Sequence, residues 1–179
     1  LTVPFKEQVL ADLDDCTTAA NEAGAVNVVT QIDGMLMGYN TDGEGFVRSL
    51  EEENGPDPKG AHAVILGAGG AARAVASGVL DRGASCVTFL NRTRSRADRA
   101  AAALSEGFPS AKIEVGELSA AAFSASSSGA QLVVNCTSGS AWEEISTFNP
   151  EKMRPNASWV DINYWMDEPP GRAACESAG

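Results

Sequence analysis

The run Val64-Ile65-Leu66-Gly67-Ala68-Gly69-Gly70-Ala71-Ala72 carries the most specific chemistry in this sequence. It fits G-x-G-x-x-A directly after a short apolar stretch that reads as a strand and at the start of a helical pattern. In that context such glycines bind a dinucleotide. Gly67 permits a tight turn, Gly69 lets backbone approach a pyrophosphate, and Ala72 lets the helix pack closely on the strand. The helix start offers free N–H groups and a positive dipole end to phosphate oxygens. Gly67, Ala68, Gly69, Gly70 and Ala71 are therefore expected to cradle nucleotide phosphates; the alternative is a purely structural turn.

A second group decides which nucleotide. An NAD site usually ends its second strand with Asp or Glu about 20 residues on, to bind the ribose 2′-hydroxyl. Here that strand ends Leu90-Asn91-Arg92-Thr93-Arg94-Ser95-Arg96, with no carboxylate in the stretch. Asn91, Arg92, Thr93 and Arg96 suit a 2′-phosphate, which arginine can hold through paired hydrogen bonds. The bland reading is a solvated basic helix start, but arginines there oppose the dipole and gain little without an anion. NADP is the expected cofactor. Thr137 and Ser138 follow another strand's C-terminal end, where ligands of open α/β sheets lie.

The elements that must position these groups follow from periodicity. Leu1 to Phe5 is β-compatible, and Lys6 to Leu13 suits a short helix. Val26 to Ile32 and Met35 to Tyr39 flank Asp33-Gly34, a hairpin signal. Phe46, Val47 and Leu50 recur at helical spacing. Asn54 to Gly60, with Pro56 and Pro58, reads as a linker and the best domain boundary. Beyond it, strands at 63–66, 86–90, 112–115, 132–135 and 159–162 alternate with helices at 69–81 and 95–105. That alternation predicts an α/β fold with a doubly wound parallel sheet. The Ala/Ser-rich run from Ser119 to Ala130 reads as a weak helix, then loop.

A net charge of −11 argues against a general affinity for nucleic acid or anionic membrane. It leaves room for an anionic ligand, which needs only a few well-placed cations. Cys16, Cys86, Cys136 and Cys175 are scattered and expected to be reduced thiols. His62 has no metal-ligand companion in the sequence, so no metal is expected. No basic leader followed by an apolar stretch is visible, and the apolar run from Ala63 to Leu80 carries Arg73 and four glycines, unlike a membrane span. A cytoplasmic location is expected. The chain starts at Leu1, without methionine, and stops in a polar segment at Gly179, which reads as a fragment truncated at both ends.

Thr2-Val3-Pro4-Phe5-Lys6, Gly24-Ala25-Val26-Asn27, Asn40-Thr41-Asp42-Gly43, Gly67-Ala68-Gly69-Gly70-Ala71 and Asn91-Arg92-Thr93 occur in the order and spacing of shikimate dehydrogenases. Asn135-Cys136-Thr137-Ser138 and Asp161-Ile162-Asn163-Tyr164 resemble two later motifs of that family. Any one of these is weak; seven in order are strong.

The resemblance implies residues 1–54 as the C-terminal part of a substrate-binding catalytic domain, and residues 55–179 as a Rossmann NADP-binding domain incomplete at its C-terminal end. It implies an oxidoreductase that reduces 3-dehydroshikimate to shikimate with NADPH in aromatic amino acid biosynthesis, and it leaves a homodimer open. Lys6 and Asp42 match the family's catalytic pair. Hydride reduction of a ketone creates an alkoxide that needs a proton, and a lysine sharing its proton with a nearby group can supply it. From the residues alone, the favoured readings are an ordinary surface lysine for Lys6 and a helix cap or turn residue for Asp42. By resemblance, Thr2 and Asn27 hydrogen-bond the polyol face of the substrate, Tyr164 lies near it, and Ile162 packs by the nicotinamide. The segment after Tyr164 departs from the family and lacks its glycine-rich stretch with a substrate-binding glutamine. The family's upstream region, with two serines that bind the substrate carboxylate, has no counterpart here. A quinate/shikimate dehydrogenase of broader specificity and a non-catalytic NADP-binding module are the alternatives.

Overall fold

The computed structural model describes residues 1–2, 4–163, 169, 171 and 175. The N-terminal part holds α1 (Phe5–Gln8), β1 (Asp15–Cys16), α2 (Thr18–Ala23), β2 (Val28–Ile32), β3 (Met35–Tyr39) and α3 (Asp42–Glu52). Its three strands form a small sheet in the order β1-β3-β2, with β2 and β3 antiparallel. Asp33 and Gly34 both take positive φ (52° and 87°), as the predicted two-residue hairpin turn requires.

The expected strand at Leu1 to Phe5 does not form among the described residues. Pro4 has no N–H for a ladder, and the Phe5 N–H turns back onto the Thr2 carbonyl at 2.9 Å, which closes a turn and starts α1. The helix expected over Lys6 to Leu13 is only α1 followed by a 3₁₀ turn, Val9–Asp12.

The second part alternates β4 (His62–Leu66), α4 (Gly70–Asp81), β5 (Cys86–Asn91), α5 (Arg94–Gly107), β6 (Lys112–Glu117), α6 (Ala120–Ser127), β7 (Leu132–Asn135), α7 (Trp142–Ile145) and β8 (Ser158–Asp161). All five strands are parallel, in the order β6-β5-β4-β7-β8. This is the doubly wound sheet that the alternation predicted. Successive residues of β4 face opposite layers: Ala63 and Ile65 join α4 and α5 in one core, while Val64 and Leu66 join α6 and α7 in the other. Burial on both faces explains why β4 reads as an unbroken apolar run. The weak Ala/Ser stretch becomes the helix α6, because the Ser119 hydroxyl caps it by accepting the Ala122 N–H and Phe123 anchors it in the core.

Residues 53–61 connect α3 to β4, yet the core runs across that connection. Phe46, Val47 and Leu50 of α3 pack with Val75, Ala76 and Val79 of α4. Gly43 and Gly78 bring the two helix backbones together; a Cβ on Gly78 would lie 2.6 Å from the Gly43 carbonyl oxygen. Arg82 at the end of α4 reaches Glu44, at 3.0 Å, and Glu51 on α3.

Gly78→Ala should therefore destabilise the protein by about 1–3 kcal/mol, the scale of an overpacked contact that only backbone can relieve. Gly45→Ala, one turn into α3 with open space around it, should raise stability by roughly 0.5–1 kcal/mol through helix propensity. Thermal melts of the two variants, compared with the unaltered chain, check the opposite signs.

Candidate active site

Gly67 makes the turn out of β4 at a φ of 102°, which a side chain would strain. Its N–H is fixed to the Leu90 carbonyl of β5 at 2.8 Å, and a Cβ there would come 3.2 Å from the Cys136 carbonyl oxygen. Gly69 takes the N-cap position of α4, so the free N–H groups of that helix open toward the loop. β4 lies between β5 and β7, where the strand order reverses. The loop after β4 thus sits at the switch point where open α/β sheets bind ligands.

The loop after β7 faces it. Asn135 is fully buried; its amide donates to Asp161 Oδ2 at 2.7 Å, and its oxygen accepts from both the N–H (3.1 Å) and the hydroxyl (2.7 Å) of Thr137. Asp161 Oδ1 in turn accepts from the backbone and amide of Asn163. This network holds Thr137 and Ser138 at the cleft wall. Cys136 lines the cleft beside them as a neutral thiol, since burial, aided by Asp161 and Asp42, pushes its ionisation far up.

The cleft has a volume of about 290 Å³ and is walled by Gly67–Ala71, by Asn91, Arg92, Thr93 and Arg96, by 136–138 and by Pro4, Lys6 and Glu7. The N-terminal segment therefore closes onto the glycine loop. A Cβ on Gly70 would sit 3.1 Å from Lys6 Cβ and 3.3 Å from Ala25 Cβ, so a larger residue there would push that segment away.

Lys6 and Asp42, 36 positions apart, form an ion pair through Lys6 Nζ and Asp42 Oδ2, with 14% and 30% of the side chains exposed. Asp42 begins α3, and its N–H donates to Asn40 Oδ1 at 3.0 Å. Asn40 is buried and donates to the Ala25 carbonyl at 2.9 Å. The remaining oxygen, Asp42 Oδ1, accepts from Asn27 Nδ2 at 2.8 Å. Thr41 N–H donates to Asn27 Oδ1 at 3.1 Å, which fixes the amide's orientation, and Asn27 Nδ2 also reaches Thr41 Oγ1 at 3.0 Å. Both amide hydrogens of Asn27 are thus committed, and one acceptor lone pair is left for another partner.

Of the residues singled out in the sequence, Lys6, Asn27 and Asp42 converge, as do Gly67–Ala71, Asn91, Arg92, Thr93, Arg96, Thr137 and Ser138. Thr2 is exposed and contributes its carbonyl to the turn before α1. Ile162 packs against the core just beyond β8. Tyr164 lies outside the described residues.

Two points differ from the sequence reading. The arginines do have carboxylates near them, brought from elsewhere in the chain. Arg96 pairs with Glu7 at 2.6 Å, while Arg92 donates to Ser140 and lies 3.7 Å from Glu144. His62 also has companions in space: its side-chain donor atoms and those of Cys86 and Glu114 lie within 4.8 Å of one another at the N-terminal end of the sheet. There the imidazole bonds Thr88 Oγ1 at 2.8 Å, and burial lowers its proton affinity against the pull of Glu114. Asn40 and Glu7 went unselected. Asn40 stood in plain view in its motif, but its buried bonds depend on the fold; Glu7 adjoins Lys6, and nothing local tells where its carboxylate points.

A family model described as Shikimate / quinate 5-dehydrogenase matches residues 49–141, just over half of the chain. The chain belongs to this family. The shikimate dehydrogenase (NADP(+)) of Symbiobacterium thermophilum is 46% identical over 137 residues, which cover 76% of this chain and 46% of that protein. That of Moorella thermoacetica is 42% identical over 167 residues, covering 92% and 56%. The chain spans about half the length of the curated relatives it matches. Among solved structures, shikimate 5-dehydrogenase of Thermus thermophilus in complex with NADP(H) and shikimate superposes with a TM-score of 0.73 at 34% identity, over 100% of this chain and 63% of that one. Among the described residues no helix is long and apolar enough to cross a membrane.

Asn135→Ala should cost about 1–3 kcal/mol, because it strips buried partners from Asp161 and Thr137 at once. Denaturant unfolding measures it, and a change near zero would show that the network does not hold the loop.

Proposed function

We propose that this site reduces the ketone of 3-dehydroshikimate to shikimate with NADPH, as a step in aromatic amino acid biosynthesis. The observation that carries the reading is the Lys6–Asp42 pair, whose lysine lines the same cleft as the glycine loop. The residues at 1–54 supply the proton chemistry, and those at 55–179 supply the nucleotide site.

The cleft fits the nucleotide on its own geometry. A Cβ on Gly69 would meet only the tip of the Arg96 side chain, so no protein packing demands glycine there, whereas an approaching pyrophosphate would. The N-terminus of α4 offers its N–H groups, and Arg92 and Arg96 stand where a 2′-phosphate would follow β5. When bound, NADPH supplies the hydride.

The protein's part is the proton. As the carbonyl oxygen becomes an alkoxide it takes the proton shared by Lys6 Nζ and Asp42, leaving a secondary alcohol. Asn27 holds the Asp42 carboxylate and Asn40 holds the Asp42 N–H, so the pair is oriented before substrate arrives. The free lone pair of Asn27 can accept a substrate hydroxyl. Thr2 and Tyr164 are proposed as further contacts to the substrate, and Ile162 as packing near the nicotinamide.

In the full-length protein, Lys6→Ala should lower kcat by about 10²-fold or more, as loss of a positioned proton donor implies, with a much smaller change in KM. The assay follows NADPH oxidation with 3-dehydroshikimate. Near-normal turnover would demote Lys6 to a bystander.

A further inference from the structure

Glu7 joins two arginines from different elements of the nucleotide part. Its Oε1 accepts from Arg96 Nη2 at 2.6 Å, and its Oε2 accepts from Arg73 Nη2 at 3.2 Å. The three side chains carry a net charge of +1, and all three belong to or adjoin the cleft that ends at the glycine loop. Arg73 is the fixed member. It is mostly buried on α4, donates to the Gly24 carbonyl at 3.4 Å, and has a buried Nε with no partner. Burial lowers its proton affinity, and Glu7 is the charge that opposes this. Arg96 is the movable member. Nearly half of its side chain is exposed, and Nη2 lies 3.6 Å from where a Gly69 Cβ would stand.

We infer that Glu7 moderates the 2′-phosphate preference of the cleft by competing for Arg96: a phosphate dianion must displace its carboxylate from Arg96, whereas an uncharged ribose hydroxyl leaves that pair intact. The inference rests on the nucleotide reading above. A phosphate monoester carries between about −1.5 and −2 charges at neutral pH, more than one carboxylate can offer a guanidinium. When Arg96 leaves, Glu7 keeps its bond to Arg73, so the exchange strands no buried charge. A nucleotide with only a 2′-hydroxyl gives Arg96 nothing to replace the carboxylate with. Glu7 thus limits how strongly the cleft prefers a 2′-phosphate, and its sequence neighbour is the lysine of the proposed proton pair.

The test is calorimetric titration of NADP⁺ and NAD⁺ into the unaltered protein, Glu7→Gln, Arg96→Ala and the double variant. Glu7→Gln should tighten NADP⁺ about fivefold, the scale of a partly exposed ion pair removed from competition, and leave NAD⁺ nearly unchanged. In the Arg96→Ala background the same substitution should have no effect on NADP⁺. Should Glu7→Gln unfold because Arg73 loses its counter-charge, Glu7→Gln/Arg73→Leu removes both charges together and should show the same change in preference. NADP⁺ binding that is unchanged or weakened by Glu7→Gln, or equal shifts for both nucleotides, would overturn the inference alone. An unaltered protein that binds neither nucleotide would overturn the nucleotide reading itself.

Discussion

The contact between the backbones of α3 and α4, made at Gly43 and Gly78, is the constraint on which the site depends. α4 begins at the glycine loop and α3 begins at Asp42, so fixing one helix against the other fixes the carboxylate relative to the glycine turn. The small sheet, through Ala25 and Asn40, then ties Asn27 to the start of α3. Lys6 arrives from the other side, packed over Gly70. A shift of even about 1 Å in such a constellation can cost roughly 10²-fold in rate. Rigid helix packing is therefore what brings residues 36 positions apart into an ion pair.

Electrostatics act on a different scale from the total charge. The chain carries −11, yet Lys6, Arg92 and Arg96 line the cleft beside the glycine loop and Arg73 adjoins it through Glu7. Each has a carboxylate nearby, so the cleft is arranged in pairs rather than as bare positive charge. Pairing keeps the desolvation of these groups affordable. On the inference drawn above, an entering anion exchanges partners with a carboxylate, so the pairing moderates the attraction.

The parallel sheet was legible because its signals are local. Val64-Ile65-Leu66 followed by three closely spaced glycines dictates strand, turn and helix without help from the rest of the chain, and Asp33-Gly34 dictates its hairpin. Leu1 to Phe5 misled for the opposite reason: its composition suits a strand, but Pro4 and the Phe5–Thr2 turn decide otherwise. Lys6 and Asp42 had no local mark of function at all, and only their place in a series of motifs singled them out. The carboxylates on Arg92 and Arg96 were invisible, since Glu7 and Glu144 come from distant segments. Sequence reports what a residue can do; which partner it meets is a property of the packing.

The central claim is that one cleft holds both the nucleotide and the proton pair. A crystal structure of the full-length protein with NADP⁺ and shikimate tests it most directly. The account predicts the pyrophosphate on the Gly67–Ala71 loop, the 2′-phosphate on Arg92 and Arg96, and the reacting hydroxyl of shikimate within hydrogen-bond reach of Lys6 and Asp42. A 2′-phosphate that touches neither arginine, or a reacting hydroxyl remote from the Lys6–Asp42 pair, would contradict it.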